Sequence, residues 1–597
     1  MTWQPTLGAI VQGGGVAFRV WAPDQDSVEL GLLRHDGAEE RAIPMERDGE
    51  DWHVFVPGLS AGQRYRYRLP GGAFPDPCSR AQPEGVHGPS EVIDPAAFEW
   101  SDDGFAPPPR EDLVIYELHI GTLTPGGTFD DAIGQLDRIR DLGVNAIEVM
   151  PVAAFPGRWN WGYDGVAMFA PAEVYGGPDA FRRFVDAAHA RGLAVILDVV
   201  YNHFGPDGNY TGAFTARYTH NAHATPWGDA LNYDRGGEWG MRRFARENLL
   251  HWHHEYHVDG FRLDATHAIF DESGEHILAE LRRASEEHAR GGQAPYLIAE
   301  TGENDVRYLR PRGEGGHGFD GIWADDFHHA VRTLLRPERE GYLVAYEGSA
   351  DELARTVTQG FLYEGQPDPY SGHRRGTPAR EQPWHQFVYC LQNHDQVGNR
   401  AFGDRLSVAA SRDDYLAATL LLLLLPQTPL LFQGQEFHAS SPFLYFTDHG
   451  RKLGRFVTEG RRREFGSFKA FADPALRERI PDPQDASTFE FSKLDLREAE
   501  IGLGALCADF HRELLALRHE DPVLHYARRH RVPLETATAD RAVLFRMSKR
   551  RAMPAPSPSI SATMSACRSK ATGKSCSTAW SRASAASASN RISRVAG

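Results

Sequence analysis

Gly260-Phe261-Arg262-Leu263-Asp264-Ala265 is the stretch on which the fold turns. It reads as a short apolar strand that leaves the core carrying a cation and a carboxylate. Residues two apart on a strand face the same side, so Arg262 and Asp264 share a face. The pattern recurs outward from it in Leu197-Asp198-Val199-Val200-Tyr201-Asn202-His203, in Ile298-Ala299-Glu300-Thr301 and in Leu391-Gln392-Asn393-His394-Asp395. Eight candidate strands fall at 114–118, 146–150, 194–199, 261–264, 296–300, 321–324, 386–391 and 430–432. Helical segments lie between most of them, such as 179–191 before a Gly192 stop. This alternation predicts an α/β protein built on a parallel (β/α)8 TIM barrel rather than an open sheet.

On either side of the barrel the pattern changes. Residues 1–105 alternate in strand fashion, as in Tyr65-Arg66-Tyr67-Arg68-Leu69, and predict a small N-terminal β domain, a β-sandwich. Phe105-Ala106-Pro107-Pro108-Pro109-Arg110 is a stiff linker, so the catalytic barrel is expected over 106–528, with a Gly-, Asn- and His-rich insert at about 203–240. Residues 529–550 read as the start of a C-terminal β domain cut short, with strands at 532–534 and 542–546, the second lacking partners to complete a sheet. Residues 551–597 hold twelve Ser, eleven Ala and seven Lys or Arg but no Asp or Glu. That composition suits a disordered tail or, on the sharper reading, GC-rich coding sequence read out of frame.

The bulk numbers narrow the class of partner. Among 597 residues, 64 Lys and Arg face 81 Asp and Glu, a net charge of −17, with no basic stripe before the tail. This excludes nucleic acid and anionic membrane as partners and suits a neutral small-molecule substrate. The start lacks a signal-peptide pattern, and the run around 420–425 is far short of a membrane span, so a cytoplasmic location is expected. Cys78, Cys390 and Cys507 are too scattered for a disulfide frame or a zinc site.

A single carboxylate at a strand end is most simply a helix cap. Three of them, Asp264, Glu300 and Asp395, on one rim beside Arg262 and two histidines call for a joint explanation. Retaining glycoside hydrolysis supplies one: it needs an ionised carboxylate and a protonated carboxyl about 5–5.5 Å apart. Arg262 can keep Asp264 charged, and Glu300 needs a raised pKa to donate a proton.

The four quoted segments, in order and spacing, resemble the four regions that mark the α-amylase superfamily, glycoside hydrolase family 13. The resemblance implies that Asp264 is the nucleophile, Glu300 the acid/base and Asp395 a stabiliser gripping sugar hydroxyls. It also implies that His203, Arg262 and His394 line the subsite of the attacked glucose, and that Tyr163, in Asn160-Trp161-Gly162-Tyr163-Asp164-Gly165, stacks on it. In many members the residue matching Asn202 binds calcium; no further ligand set accompanies it here, and no metal or cofactor is expected.

Within that superfamily, further segments over about 1–548 resemble the trehalohydrolases acting on maltooligosyltrehalose. They are Tyr116-Glu117-Leu118-His119-Ile120-Gly121-Thr122, Asp264-Ala265-Thr266-His267 and Trp323-Ala324-Asp325-Asp326-Phe327-His328-His329, followed by 441–449 and 460–465. Within these segments His267, Asp325, Asp326 and His328 are candidate hydrogen-bonding contacts to a substrate that offers only hydroxyls, and Phe443 and Tyr445 are flat surfaces for a sugar face, or simply core. Trp227, Trp239, Phe327 and Phe446 offer further flat surfaces for sugar faces, or simply core. His329 and Asp448 offer further hydrogen bonds, and Arg461 to Arg463 read equally as a solvated charge run. A glycogen branching enzyme, with an acceptor sugar in place of water, is the nearest alternative. A non-catalytic glucan-binding protein is disfavoured because all three carboxylates are present.

Overall fold

The computed structural model describes residues 3–34, 36–539, 542–547, 560–565 and 580–582. Its centre is a closed barrel of eight parallel strands. These are β1 (Ile115–Leu118), β2 (Ala146–Val149), β3 (Ala194–Val199), β4 (Gly260–Leu263), β5 (Tyr296–Ala299), β6 (Gly321–Trp323), β7 (Phe387–Cys390) and β8 (Thr428–Phe432). Pairing of Ile115 with both Ala146 and Leu430 closes the ring. Every strand is buried along its length, which is why each reads as a short continuous apolar run. Ile115, Ile196, Ile298, Val388 and Leu430 belong to one cluster that fills the barrel.

The crossover helices follow their caps. Helix Gly177–His189 opens with Pro178 in its first turn, and the chain leaves it through Gly192, whose φ of 75° suits glycine. The stretch after β3 holds a short hairpin, Thr219–Thr225 with Gly228–Leu231, before helix Trp239–Glu255.

Before the barrel lie two antiparallel sheets. In strand Arg64–Leu69, Tyr65, Tyr67 and Leu69 turn inward while the arginines between them are half-buried or exposed. The buried Asp76 receives the Tyr65 hydroxyl at 2.7 Å. This unit sits on helix Trp239–Glu255. Arg243 donates to both oxygens of Asp51, at 2.8 and 2.5 Å, and the Arg80–Glu255 pair is buried between the two parts. Gly240 lets them approach: a Cβ there would lie 2.0 Å from the Trp21 ring.

After the barrel, helix Gly502–Glu520 leads to helix Pro522–Arg529 and an antiparallel sheet. Strand Ala542–Met547 pairs on both edges, with Leu534–Ala539 and with Ile560–Ser565. The expectation of an unpartnered strand is thereby corrected: backbone pairing needs no hydrophobic periodicity in the partner, so the composition of 551–597 did not reveal it. Beyond 560–565 and 580–582, that stretch lies outside the described residues. Cys78, Cys390 and Cys507 are buried free thiols. Among the described residues, no helix is long and apolar enough to cross a membrane.

Candidate active site

Asp264 and Glu300 each sit one residue past the end of a barrel strand, β4 and β5. Their backbone amides still follow the ladder, Asp264 N to Val199 O and Glu300 N to Leu263 O, both at 3.0 Å. The chain then turns sharply at Ala265, whose φ of 40° is rare for a non-glycine residue. Ala265 N donates to Glu300 Oε2 at 2.6 Å, so the strained turn after one carboxylate holds the other.

Arg262, fully buried on β4, organises the group. Its Nη1 lies 2.7 Å from Asp264 Oδ1 and 2.9 Å from Asp198 Oδ2, and its Nη2 lies 3.6 Å from Glu300 Oε2. The guanidinium carbon stands 4.3 Å from the centroid of the Trp323 ring, which closes it off from the barrel interior. Burial works against the charge of Asp264, but Arg262 and the Asn202 side chain, donating at 2.9 Å, hold its carboxyl below the usual range. For Glu300 burial prevails: despite Arg262, its carboxyl is pushed up, with the Asp264 charge adding to the effect. Burial likewise lifts Asp198 to about 7. Neighbouring carboxyls thus titrate apart, one inclined to stay charged and one to keep its proton.

The opposite wall is built on the turn after β7. Asn393 caps the short helix His394–Gly398, which carries Asp395 toward the cleft. His394 Nδ1 lies 2.5 Å from Glu117 Oε1 on β1, and its Nε2 lies 2.8 Å from the Tyr163 hydroxyl. Burial opposes the imidazolium, but Asp395 and Glu117 raise its pKa to about 9. A cationic ring then donates to Glu117 and to Tyr163, while Tyr163 donates onward to Asp198 at 2.6 Å. The Tyr163 and His394 rings stack, with centroids 5.3 Å apart. His203 Nε2 lies 3.0 Å from Tyr163 O, and Trp227 stacks on the His203 ring. The structure therefore brings Tyr163, His203, Arg262, Asp264, Glu300, His394 and Asp395 into one connected group.

Beside Asp395 opens a cavity of about 620 Å³. Asp325 lines it, its carboxyl pushed up to about 7 by burial and by the charges of Glu300 and Asp395. His267 is exposed on the turn after Asp264. Tyr445 is half-buried under the Arg461 guanidinium, 4.0 Å from its ring centroid.

Three expected contacts are not at the cleft. Asp326 is fully buried and accepts from Asn304, Tyr346, Arg375 and the Leu362 amide, which ties the 345–375 segment to the barrel. His328 is buried against Leu391 O, and it is His329, one residue on, that lines the cavity. The cause is helical phase: successive residues on Asp326–Leu335 point about 100° apart, so only one of the pair can face the opening. Phe443 is fully buried among Trp161, Phe432 and Phe446.

The N-terminal part, residues 6–97, matches the model for carbohydrate-binding module 48 (isoamylase N-terminal domain), and residues 79–225 match the α-amylase catalytic domain. The chain is 45% identical to the malto-oligosyltrehalose trehalohydrolase of Deinococcus radiodurans over 521 residues, 87% of this chain and 83% of that one. It is 42% identical to the Saccharolobus solfataricus enzyme of that name, over 86% of this chain and 87% of the relative. The chain belongs to the malto-oligosyltrehalose trehalohydrolase family. A solved Salmonella typhimurium structure assigned as an alpha amylase superposes at a TM-score of 0.85 with 39% identity, covering 96% of each chain. A 1,4-alpha-glucan branching enzyme from Burkholderia lata is 32% identical over 54% of this chain and 50% of its own.

Within this family member, several side chains at the site carried no decisive signal in the sequence. Glu117 stood in a quoted motif without a role; it accepts from His394 N at 3.0 Å as well as facing the ring. Glu148, buried on β2, is pushed far up by burial and makes no hydrogen bond through either oxygen. Arg461 is not a solvated charge: it donates to Gly398 O and to Asn399 Oδ1, bracing the helix that carries Asp395. Arg374, Arg375 and Tyr370 line the cavity from a loop with no periodic pattern to betray it. Among the described residues, no group of three or more His, Cys, Asp or Glu converges as metal ligands, and Asn202 is engaged with Asp264.

Proposed function

We propose that the protein is a retaining glycosidase that hydrolyses the α-1,4-glucosidic bond next to the terminal trehalose of maltooligosyltrehalose, releasing trehalose and a shorter maltooligosaccharide. The observation that carries the reaction is one buried guanidinium serving two carboxyls of opposite tendency, Asp264 at 2.7 Å and Glu300 at 3.6 Å. Retention needs such a pair, a charged nucleophile and a protonated acid about 5–5.5 Å apart. The choice of substrate follows the family.

Asp264, charged, attacks the anomeric carbon while Glu300 gives its proton to the departing glycosidic oxygen, which leaves as the hydroxyl of trehalose. The glucosyl residue is then esterified to Asp264. With its proton gone, Glu300 removes one from a water that attacks the same carbon, and Asp264 is freed with the configuration retained. Asp395 accepts hydrogen bonds from hydroxyls of the distorted ring. Tyr163 and cationic His394 form the floor on which that ring sits, and Arg262 keeps the nucleophile charged. Asp325 faces the cavity beyond Asp395, and the leaving trehalose is the group we place there.

Incubation with maltooligosyltrehalose and, separately, with amylose tests this. Free trehalose from the first is the expected result. New α-1,6 branches on amylose without any trehalose would establish the branching reaction instead.

A further inference from the structure

Trp239 reads from sequence as a flat surface for sugars, and it is not in the cleft. It stands at the start of helix Trp239–Glu255, where the N-terminal unit meets the barrel, and it is 55% exposed. The Arg243 guanidinium lies against its indole, 4.4 Å from the ring centroid, and is itself forked onto Asp51 of the N-terminal sheet. The ring is thus held from beneath in a fixed plane. The next residue, Gly240, is packed so closely on Trp21 that even a Cβ would not fit between helix and sheet.

A hollow opens on each side of this indole. One, of about 560 Å³, is walled by Asp48, Gly49, Glu50 and Gly237; the other, of about 600 Å³, by Gln12, Ala17, Phe55 and Arg246. Arg19, Trp239 and Arg243 line both, so together they form one groove over the ring. Neither shares a lining residue with the cavity at Asp395. Phe55 adds a second apolar surface, 47% exposed.

The polar groups of the groove limit what it can take. Arg19 pairs with Asp48 at 2.9 Å and Arg243 with Asp51, while Glu50, Glu238 and Glu247 add carboxylates, so acidic side chains outnumber basic ones along its walls. A groove with a surplus of carboxylates has no pull on a phosphate or an acidic peptide. It retains hydrogen-bonding capacity, because the side chains of Asp48 and Glu50 stay 60% and 44% exposed along its wall. A fixed indole with unspent polar atoms beside it suits a ligand that is apolar on one face and hydroxylated at its edge, as a pyranose is.

We propose that the groove around Trp239 is a second, non-catalytic binding site for an α-1,4-linked glucan chain, shared between the N-terminal unit and the barrel helix. One glucosyl face lies on the indole and the chain extends to either side, toward Phe55 and toward Glu50. The site is independent of the hydrolytic reaction, so its absence would leave that reading untouched.

The test is affinity electrophoresis of the full-length protein in native gels containing glycogen, in an Asp264→Asn background so that the polymer stays intact. Trp239→Ala is expected to weaken glycogen binding about tenfold, equivalent to ~1.4 kcal/mol. Trp239→Phe should fall between the two, with unchanged circular dichroism. Phe55→Ala, on the other wall, should also weaken binding and covers the case in which Trp239→Ala fails to fold. Retardation unaltered by Trp239→Ala, or absent already in the parent, overturns the proposal.

Discussion

Asp264 and Glu300 stand at the two amino groups of one guanidinium, Nη1 of Arg262 at 2.7 Å from the first and Nη2 at 3.6 Å from the second. The same cation therefore lowers one carboxyl outright and only moderates the burial that raises the other. The proposed mechanism requires Asp264 without its proton and Glu300 with it, so on that mechanism the acid limb of the pH profile reports Asp264 and the basic limb Glu300.

Replacing Arg262 by Lys removes the fork and leaves a point charge that cannot span three carboxylates. With the positive charge no longer held against its oxygen, the Asp264 pKa rises, so the acid limb of kcat/KM moves to higher pH. The expected loss in kcat is about 10²-fold or more. A profile whose acid limb stays in place would separate Arg262 from the ionisation of Asp264.

Asp264→Asn keeps the shape of the side chain but cannot attack carbon, and its single amide oxygen can serve only one of the donors Arg262 and Asn202. Turnover should fall by at least about 10⁴-fold. Oligosaccharide affinity, read by calorimetry, should change little. Substantial residual turnover would assign the nucleophile elsewhere.

Glu117→Gln tests the remote support of His394. Without the carboxylate at 2.5 Å, the imidazolium loses one of the two anions that raise its pKa to about 9. The pKa falls, and the ring becomes neutral as pH rises through a range in which the parent is still charged. The loss in kcat should therefore be small near pH 6 and about tenfold near pH 8. A uniform loss at all pH values would point to misplacement of the ring rather than its charge.

Gly240→Ala addresses the junction. The new Cβ would meet the Trp21 ring at 2.0 Å, so the indole, the helix or the sheet has to give way. Overpacking of this kind costs about 1–3 kcal/mol, so thermal unfolding should shift downward by a few degrees. An unchanged melting temperature would mean that the junction is looser than the packing implies.

The barrel was legible because each of its strands is buried on both faces and so reads as a short apolar run with helices between. Arg262 and Asp264 were legible together because strand alternation puts them on one face. Helical neighbours were harder: His328 and His329 carry the same chemistry, and only the phase of Asp326–Leu335 decides which one meets the cavity. Asp326 lies next to a cavity-lining residue yet spends every oxygen on the 345–375 segment, a long-range tie that no local pattern announces. Arg461 was ambiguous for the reverse reason, since a run of three arginines looks solvated until its partners, Gly398, Asn399 and Tyr445, are placed beside it. Trp239 was legible as an aromatic surface, but its position at the domain junction depends on where helix Trp239–Glu255 meets the N-terminal sheet.

The most direct test of the central claim is proton NMR of the first minutes of maltooligosyltrehalose hydrolysis. Free trehalose should appear together with a shorter maltooligosaccharide whose new reducing end is the α-anomer, converting to the β-anomer only by later mutarotation. A β-anomer formed first, or cleavage without free trehalose, would contradict the account.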